Sequence, residues 1–285
     1  MRWDQGHQSP DLIDARGSGG VGGFGGMRLG LGGFVVLGVL SLVFGRNFFS
    51  MLGGGGAPAR PAATAPRAAD PNEDRQVRFV GFVLDDVQAT WGQLMPRLGR
   101  PYERAQLVVF TEAVQSGCGV AGAETGPFYC PADRRVYLDV SFFRELRGRF
   151  GAPGDFAQAY VVAHEVGHHV QRLAGIDARV RQATARSPGQ ENALSVRQEL
   201  QADCFAGLWA HATSQRGLVE AGDVEEALGA AAAVGDDRIQ RSAGRRVNPE
   251  SWTHGSAQQR AAWFRRGLQT GDPSRCDTFN DVDPS

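Results

Sequence analysis

The sequence predicts an α+β domain, mainly helical with a small β-sheet, that is preceded by one transmembrane helix. Apolar residues recur at helical spacing over residues 73–98, and the chain after residue 155 has the pattern of helices separated by glycines. Two short runs rich in branched and aromatic residues, at 105–110 and 134–140, are typical of strands. Residues 29–45 contain no charged side chain, which is typical of a segment that crosses a bilayer.

The first 72 residues divide into three parts. Residues 1–27 are polar and rich in glycine, so they predict a disordered N-terminal tail. If the apolar stretch continues to Leu52, residues 28–52 form a transmembrane helix; a cleaved signal peptide is the alternative, with Ala57 and Ala59 as a small-residue cleavage site. Residues 53–72 are a Gly/Pro/Ala linker, which leaves 73–285 as the folded domain.

Net charge and cysteine content limit the partners and the compartment. The formal net charge is −1, so the basic surface of a nucleic-acid-binding protein is not expected. The four cysteines lack the CxxC spacing of a zinc knuckle and predict two disulfides, with buried reduced thiols as the alternative: Cys118, Cys130, Cys204 and Cys276. The local pair 118–130 is the favoured pairing. Disulfides require an oxidising compartment, so we expect the folded domain on the extracytoplasmic side, periplasmic or external, and the tail in the cytoplasm.

The elements of the folded domain follow in order. Residues 73–98 predict a long amphipathic helix, and the two strands flank a loop rich in glycine and proline between the first two cysteines. The run "SFFRELRGRF" begins with a serine cap and predicts a short helix that ends before "GAPG". Asp155 and Gln158 have capping-box spacing, and Gly175 is a suitable terminator, so a helix is expected over residues 156–173.

That helix contains the stretch "VVAHEVGHHVQRLAG". At 100° per residue, His164 and His168 lie roughly 40° apart on one face, so both imidazoles can bind one metal ion. Glu165 completes the pattern His-Glu-x-x-His, in which two histidines hold zinc and the glutamate acts as general base on a zinc-bound water. His169 lies roughly 140° from His164 and is not expected to be a ligand. Gly167 leaves room for a neighbouring backbone or a ligand.

A catalytic zinc site requires a third protein ligand, and a second helix offers one. Ser195 and Gln198 have capping-box spacing, which places Glu199 in the first turn of a helix whose continuation, "LQADCFAGLWA", is apolar. Asp203 lies one turn further on the same face and could orient a ligand histidine. The alternative for Glu199 is a first-turn acid that only interacts with the helix dipole. Two acids on one face of a buried helix need a positive partner, which favours the zinc ligand.

His254, in "SWTHGSAQQRAAWF", is a second candidate for a catalytic role. It precedes a predicted helix and could donate a hydrogen bond to a developing oxyanion. Capping of that helix, or packing, is the alternative.

These motifs resemble the bacterial family of neutral zinc metallopeptidases. The resemblance rests on "HEVGHHVQ", "RQELQADCFAGLWAH", "GPFYCPADRRVYLDVSFF" and "WTHGSAQQRAAWF", and it extends to the N-terminal "MRWDQGHQSPDLIDARG". It implies a zincin-like domain that binds one Zn²⁺ per chain through His164, His168 and Glu199, with Glu165 as the base.

The sequence therefore predicts a membrane-anchored, zinc-dependent endopeptidase that acts on peptide or protein substrates. The strand at 134–140 could pair with an extended substrate beside the site, as strands do in other peptide-binding proteins. A metal-stabilised, membrane-tethered binding or scaffold protein without proteolytic activity is the alternative. A helix with chance histidines and no metal is a third interpretation.

Overall fold

The computed structural model describes residues 1–16 and 70–281. Within these residues, eight α-helices pack around a four-stranded sheet, and a two-stranded hairpin lies beside it. The helices are α1 Pro71–Arg97, α2 Phe142–Gly148, α3 Asp155–Leu173, α4 Ile176–Arg186, α5 Glu191–Gln215, α6 Asp223–Ala233, α7 Asp236–Ser242 and α8 Ala257–Thr270. The strands are β1 Leu12–Asp14, β2 Gln106–Phe110, β3 Ala113–Ser116, β4 Gly119–Gly122, β5 Phe128–Cys130 and β6 Arg135–Asp139. The predicted class, mainly helical with a small sheet, is confirmed.

The predicted transmembrane helix at 28–52 lies outside the described residues, as does nearly all of the predicted linker at 53–72. Over residues 1–16 and 70–281, none of the helices is both long enough and apolar enough to cross a bilayer.

The prediction of a disordered tail is wrong over residues 1–16. Leu12, Ile13 and Asp14 form β1, which pairs in parallel with residues 107–109 of β2. Met1 is 6% exposed and belongs to the main hydrophobic core. The sequence pattern did not indicate this order, because the segment is held by partners far away in the chain rather than by an apolar core of its own.

The sheet has the strand order β1-β2-β6-β5. The first three strands are parallel, and β5 is antiparallel to β6. β6 pairs with β2 over residues 135–139 and with β5 over residues 135–137, so most of the strand predicted to pair with a substrate already has a partner on both edges. The edge strand on that side of the sheet is β5.

Helix α3 is buried on almost every side, between α1, α5, α6 and the sheet. Gly167 permits the close approach of α5, because a Cβ at this position would lie 3.1 Å from the backbone oxygen of Ala202. The space predicted at Gly167 for a neighbouring backbone is therefore occupied by α5, the helix that carries Glu199 and Asp203.

The two helices that were predicted to begin with capping boxes do form, but neither has a capping box. Glu226 of α6, rather than Asp155 or Gln158, accepts a hydrogen bond from the Phe156 amide at the start of α3 (3.1 Å). Ser195 donates to the carbonyl of Thr253 (2.9 Å), and α5 begins earlier in the chain, at Glu191. Glu199 thus lies about two turns inside α5, so its alternative role as a first-turn acid does not apply. Ser141 likewise makes no side-chain cap for α2.

The four cysteines form two disulfides, Cys118–Cys130 and Cys204–Cys276. The first joins the β3–β4 hairpin to β5, and the second joins α5 to the C-terminal segment. The favoured local pair is confirmed, and the alternative of four reduced thiols does not apply.

Candidate metal centre

The three predicted zinc ligands meet at one point. His164 and His168 project from α3 and Glu199 from α5, and one ligand atom from each lies within 4.8 Å of the other two. His164 Nε2 is 3.2 Å from Glu199 Oε2, and His168 Nε2 is 3.4 Å from Glu199 Oε1. Two imidazoles and one carboxylate converging on a partly buried point are a donor set typical of a catalytic zinc site.

The tautomer of His164 is set by Asp203. The Nδ1 atom of His164 lies 2.9 Å from Oδ1 of Asp203. A carboxylate can only accept, so Nδ1 carries a proton, and in the neutral form of His164 the lone pair is on Nε2, the nitrogen that faces Glu199. Asp203 therefore occupies the orienting position that the sequence predicted for it, and carboxylates commonly take this position beside metal-binding histidines.

Gln171 orients the second histidine in the same way. Its side-chain oxygen accepts a hydrogen bond from Nδ1 of His168 (2.9 Å). Its amide nitrogen donates to the carbonyl of Gln198 (2.7 Å) and to the side chain of Gln201 (3.1 Å), which fixes which end of the amide faces the histidine. Both imidazoles are thus held with Nε2 directed toward Glu199.

Buried charges around Asp203 stabilise this arrangement. Arg260 of α8 is 3% exposed and donates to Asp203 through Nε (2.8 Å) and through a terminal nitrogen (2.9 Å). The hydroxyl of Tyr160 donates to the same carboxylate (2.5 Å). Burial would raise the pKa of Asp203, but Arg260 and His164 hold it below its usual range, so the carboxylate stays ionised.

The carboxylates make the site attractive to a cation. Burial alone would lower the pKa of His164, but Asp203 and Glu199 raise it to about 10. Burial would raise the pKa of Glu199, yet the neighbouring histidines, His168 first, hold it well below its usual range. Electrostatics of this kind would favour a divalent cation, which would take the place of a proton on His164.

Glu165 lies beside the three ligands and lines the same cavity, whose volume is about 520 Å³. It is 8% exposed. The edge strand β5 borders this cavity through Phe128 and Tyr129, and His254 lines it too. The structure thus brings a potential general base, a potential oxyanion donor and an edge strand to the cavity that contains the three candidate ligands.

His254 is held by Asp236, the first residue of α7. Oδ2 of Asp236 accepts hydrogen bonds from three consecutive backbone amides, including that of His254 (2.7 Å). Nδ1 of His254 lies 3.2 Å from the other oxygen of Asp236. Burial would lower the pKa of His254, but Asp236 and the charge of Glu199 raise it. Asp236 thus fixes the orientation of the ring, and these charges favour the imidazolium form, in which both ring nitrogens are hydrogen-bond donors.

His169 takes no part in the cluster. Its Nε2 donates to the carbonyl of Glu103 (2.7 Å), so Nδ1 accepts from the hydroxyl of Tyr129 (3.1 Å). It therefore connects α3 to β5, the strand that borders the cavity.

Four residues that support the site are not apparent from the sequence alone: Tyr160, Gln171, Asp236 and Arg260. A usable signal existed for Arg260. On α8 it shares one face, at spacings of i+3, i+4 and i+7, with the buried residues Trp263, Phe264 and Gly267. An arginine on the apolar face of a helix requires a buried acidic partner.

Comparison with known proteins agrees with this geometry. A family described as "Putative neutral zinc metallopeptidase" matches residues 1–279. The chain is 45% identical over 284 residues to the uncharacterized protein YpfJ of Escherichia coli K12, covering 98% of this chain and 99% of that protein. It is 46% identical over 238 residues to the uncharacterized protein Rv2575 of Mycobacterium tuberculosis H37Rv, covering 80% of this chain and 78% of that protein. No solved structure matches the chain significantly.

Proposed function

We propose that this chain, which belongs to the neutral zinc metallopeptidase family, is a zinc-dependent endopeptidase. The observation that carries the proposal is the convergence of His164, His168 and Glu199, with Glu165 in the same cavity. The donor set fits zinc, and both histidines are held in the tautomer that zinc requires.

The residues around the metal have different roles in peptide hydrolysis. When bound, zinc supplies Lewis acidity, which polarises the scissile carbonyl and lowers the pKa of water toward ~7. Glu165 accepts a proton from the attacking water and returns it to the nitrogen of the leaving amine. His254, oriented by Asp236, donates a hydrogen bond to the oxyanion that develops on the carbonyl oxygen.

We propose that the substrate lies against β5. The outer edge of β5 borders the cavity, and an extended peptide can add to a strand edge through its backbone. The peptide thus pairs with β5 instead of β6, most of which already has a partner on both edges.

We also propose that the enzyme acts outside the cytoplasm and is attached to a membrane through residues 28–52. The two disulfides support an oxidising compartment. The pairing of β1 with β2 argues against the expectation of a cytoplasmic tail, because residues 1–16 and the domain that follows residue 70 then lie on the same side of the membrane.

The test uses the full chain, because residues 1–16 contribute a strand to the sheet. The purified protein should contain about one zinc per chain and cleave a peptide library. Glu165→Gln should keep the zinc and lose about 10²- to 10⁴-fold in kcat, the usual contribution of a general base. Glu191→Gln, an exposed glutamate at the start of α5, is the matched control and should cleave like the parent.

A Glu165→Gln variant that retains zinc and cleaves as fast as the parent would refute this mechanism. If the parent binds zinc and unfolds on chelation but cleaves no peptide, the scaffold alternative holds instead.

A further inference from the structure

Four arginines line the cavity, and two of them, Arg172 and Arg181, form a pair away from the metal ligands. Arg172 lies on α3, one turn after His168 and on the same face, about 6 Å further along the helix axis. Arg181 lies on α4 and faces the same space. The proposed mechanism uses neither side chain.

The two arginines share one carboxylate. Oδ2 of Asp177 is 3.0 Å from Arg172 and 2.8 Å from Arg181. The carboxylate side chain is 9% exposed, whereas the two arginine side chains are 34% and 58% exposed. Because one buried carboxylate faces two guanidinium groups, this end of the cavity carries a net positive charge.

Apart from Asp177, the carboxylates that line the cavity are Glu165 and Glu199 at the metal site. Arg149 also lines the cavity, with its guanidinium 5.4 Å from the ring centre of Phe150. The remaining lining of the cavity is largely apolar. Its apolar lining includes Phe128, Phe142, Phe150, Val161, Val180 and Ile239. A positive group beside apolar surface favours a substrate that presents a carboxylate on an otherwise apolar segment.

We propose that Arg172 and Arg181 bind a carboxylate of the substrate, so that the enzyme prefers peptides with an acidic group near the scissile bond. His168 and Arg172 lie about 6 Å apart along the helix axis, a rise that an extended peptide covers in about two residues, so the acidic group lies within a few residues of the bond that is cleaved. The planar, forked guanidinium suits a carboxylate better than any other peptide group. The inference rests on the proposed peptidase function.

The first experiment compares matched peptides that differ at one position. Glu, Gln and Lys are placed one and two residues from the cleaved bond in amidated peptides, and kcat/KM is measured for each. We expect Glu to exceed Gln by about two- to fivefold, with Lys lowest, since a partly exposed charge pair contributes a factor of this order. The preference should shrink at high salt. A further set of peptides ends in a free carboxylate at the same distance from the cleaved bond. Its cleavage shows whether the site recognises a C-terminal carboxylate or an acidic side chain.

Charge reversal separates recognition from a structural role. Arg181→Glu should abolish the preference for Glu and favour Lys, a change that loss of packing would not produce. Arg241→Glu is the matched control, because Arg241 is 63% exposed and forms the same i,i+4 pair with Asp237 outside the cavity. It should leave the ranking of peptides unchanged. An unchanged Glu-to-Lys ratio in Arg181→Glu, or equal cleavage of all three peptides by the parent, would overturn the inference.

A binding measurement keeps this result separate from the fate of the proposed function. The affinity of zinc-loaded Glu165→Gln for the same fluorescent peptides is measured by anisotropy and should follow the order Glu, Gln, Lys. If this order appears but the parent cleaves no peptide, the peptidase function fails and the carboxylate site stands. Equal affinities for the three peptides would overturn the carboxylate site whether or not the parent is active.

Discussion

Asp203 is the residue on which the geometry of the metal site depends most. It is fully buried and accepts hydrogen bonds from His164, Tyr160 and Arg260 at once. A carboxylate accepts at both oxygens, whereas an amide would direct its NH₂ group at one of these donors. The orientation of His164 therefore depends on the negative charge of Asp203, which the positive charge of Arg260 balances.

Asp203→Asn should weaken zinc binding about 10- to 100-fold, the usual cost of removing a residue that orients a ligand histidine. Competition with a chelator measures the zinc Kd. The matched control is Asp86→Asn, because Asp86 also joins two helices by accepting from Trp209, Thr213 and Arg216, but away from the metal. Equal zinc affinities in the two variants would contradict the orienting role of Asp203.

The sequence identified the residues that share one helix more readily than those that meet across helices. His164, Glu165 and His168 follow from helical spacing alone, because adjacent turns of one helix fix their relative positions. Arg260 is 57 residues from Asp203, and only the packing of α8 on α5 brings the two together. A pattern based on neighbouring positions contains no information about that contact.

Tyr129 connects α3, the helix that carries His164 and His168, to β5, the strand against which we propose that the substrate binds. Tyr129→Phe removes the hydroxyl that donates to Nδ1 of His169 and leaves that buried atom without this donor. We expect KM for long peptides to rise about two- to tenfold, the value of one net hydrogen bond, with unchanged zinc content.

Tyr137→Phe, on the adjacent strand β6, is the control for this variant. Its hydroxyl donates to Asp133 instead of to α3, so KM should stay at the parent value. A fall in kcat with constant KM in Tyr129→Phe would mean that the tyrosine acts on chemistry and does not position the strand.

At the level of elements, the contact between α5 and α8 is unusually close. A Cβ at Gly207 would lie 2.1 Å from the carbonyl oxygen of Phe264, and one at Gly267 would lie 2.0 Å from that of Cys204. The two backbones therefore touch. This contact holds Arg260 of α8 against Asp203, which precedes Gly207 by one turn of α5.

Gly207→Ala should force the two helices apart, destabilise the fold by about 1–3 kcal/mol or more and weaken zinc retention. Denaturant unfolding and metal analysis measure the two effects. Gly229→Ala is the control, since Gly229 lies inside α6 and a Cβ at this position would meet no neighbouring group within 4 Å. It should stabilise the protein by about 0.5–1 kcal/mol because alanine favours a helix. A stable Gly207→Ala protein that retains zinc would show that the close contact between α5 and α8 is not needed for the fold or for the metal site.

Helices were easier to predict than the residues that begin them. Periodic apolar positions identified α1, because a helix that packs on a core must repeat its apolar face. Helices α3 and α5 were predicted from cap spacing, together with a terminating glycine for α3 and an apolar run for α5. The predicted caps failed where tertiary partners satisfy the same groups: Glu226 binds the Phe156 amide at the start of α3, and Ser195 donates to the Thr253 carbonyl. The spacing of residues near the start of a helix contains no information about partners that are distant in the chain.

At the scale of the whole molecule, residues 1–16 are part of the folded domain. The Trp3 ring lies 5.3 Å from that of Phe79 on α1, and His7 lies 2.8 Å from Asp85. Arg16 donates to Asp74 (2.7 Å) at the other end of the same segment. These contacts extend along α1, so the segment is attached over its full length and not only through β1.

This attachment predicts the membrane arrangement of the chain. A segment that crossed the bilayer once would place residues 1–16 and 70–281 on opposite sides of about 30 Å of hydrocarbon. The strand pair β1–β2 could not then form within one chain. Whatever path residues 17–69 take, we expect both of their ends on the same side of the membrane.

Protease accessibility tests this arrangement in the full-length protein. One recognition sequence is inserted after Arg16 and another, in a separate variant, in the exposed turn Pro188–Gln190. With protease added to one side of sealed membranes, both variants should be cut or both protected, and detergent should expose both. Cleavage of only one variant before detergent is added would place the two parts on opposite sides. In that case β1 could not occupy its place beside β2, and the edge of the sheet next to β2 would be open in the membrane-bound protein.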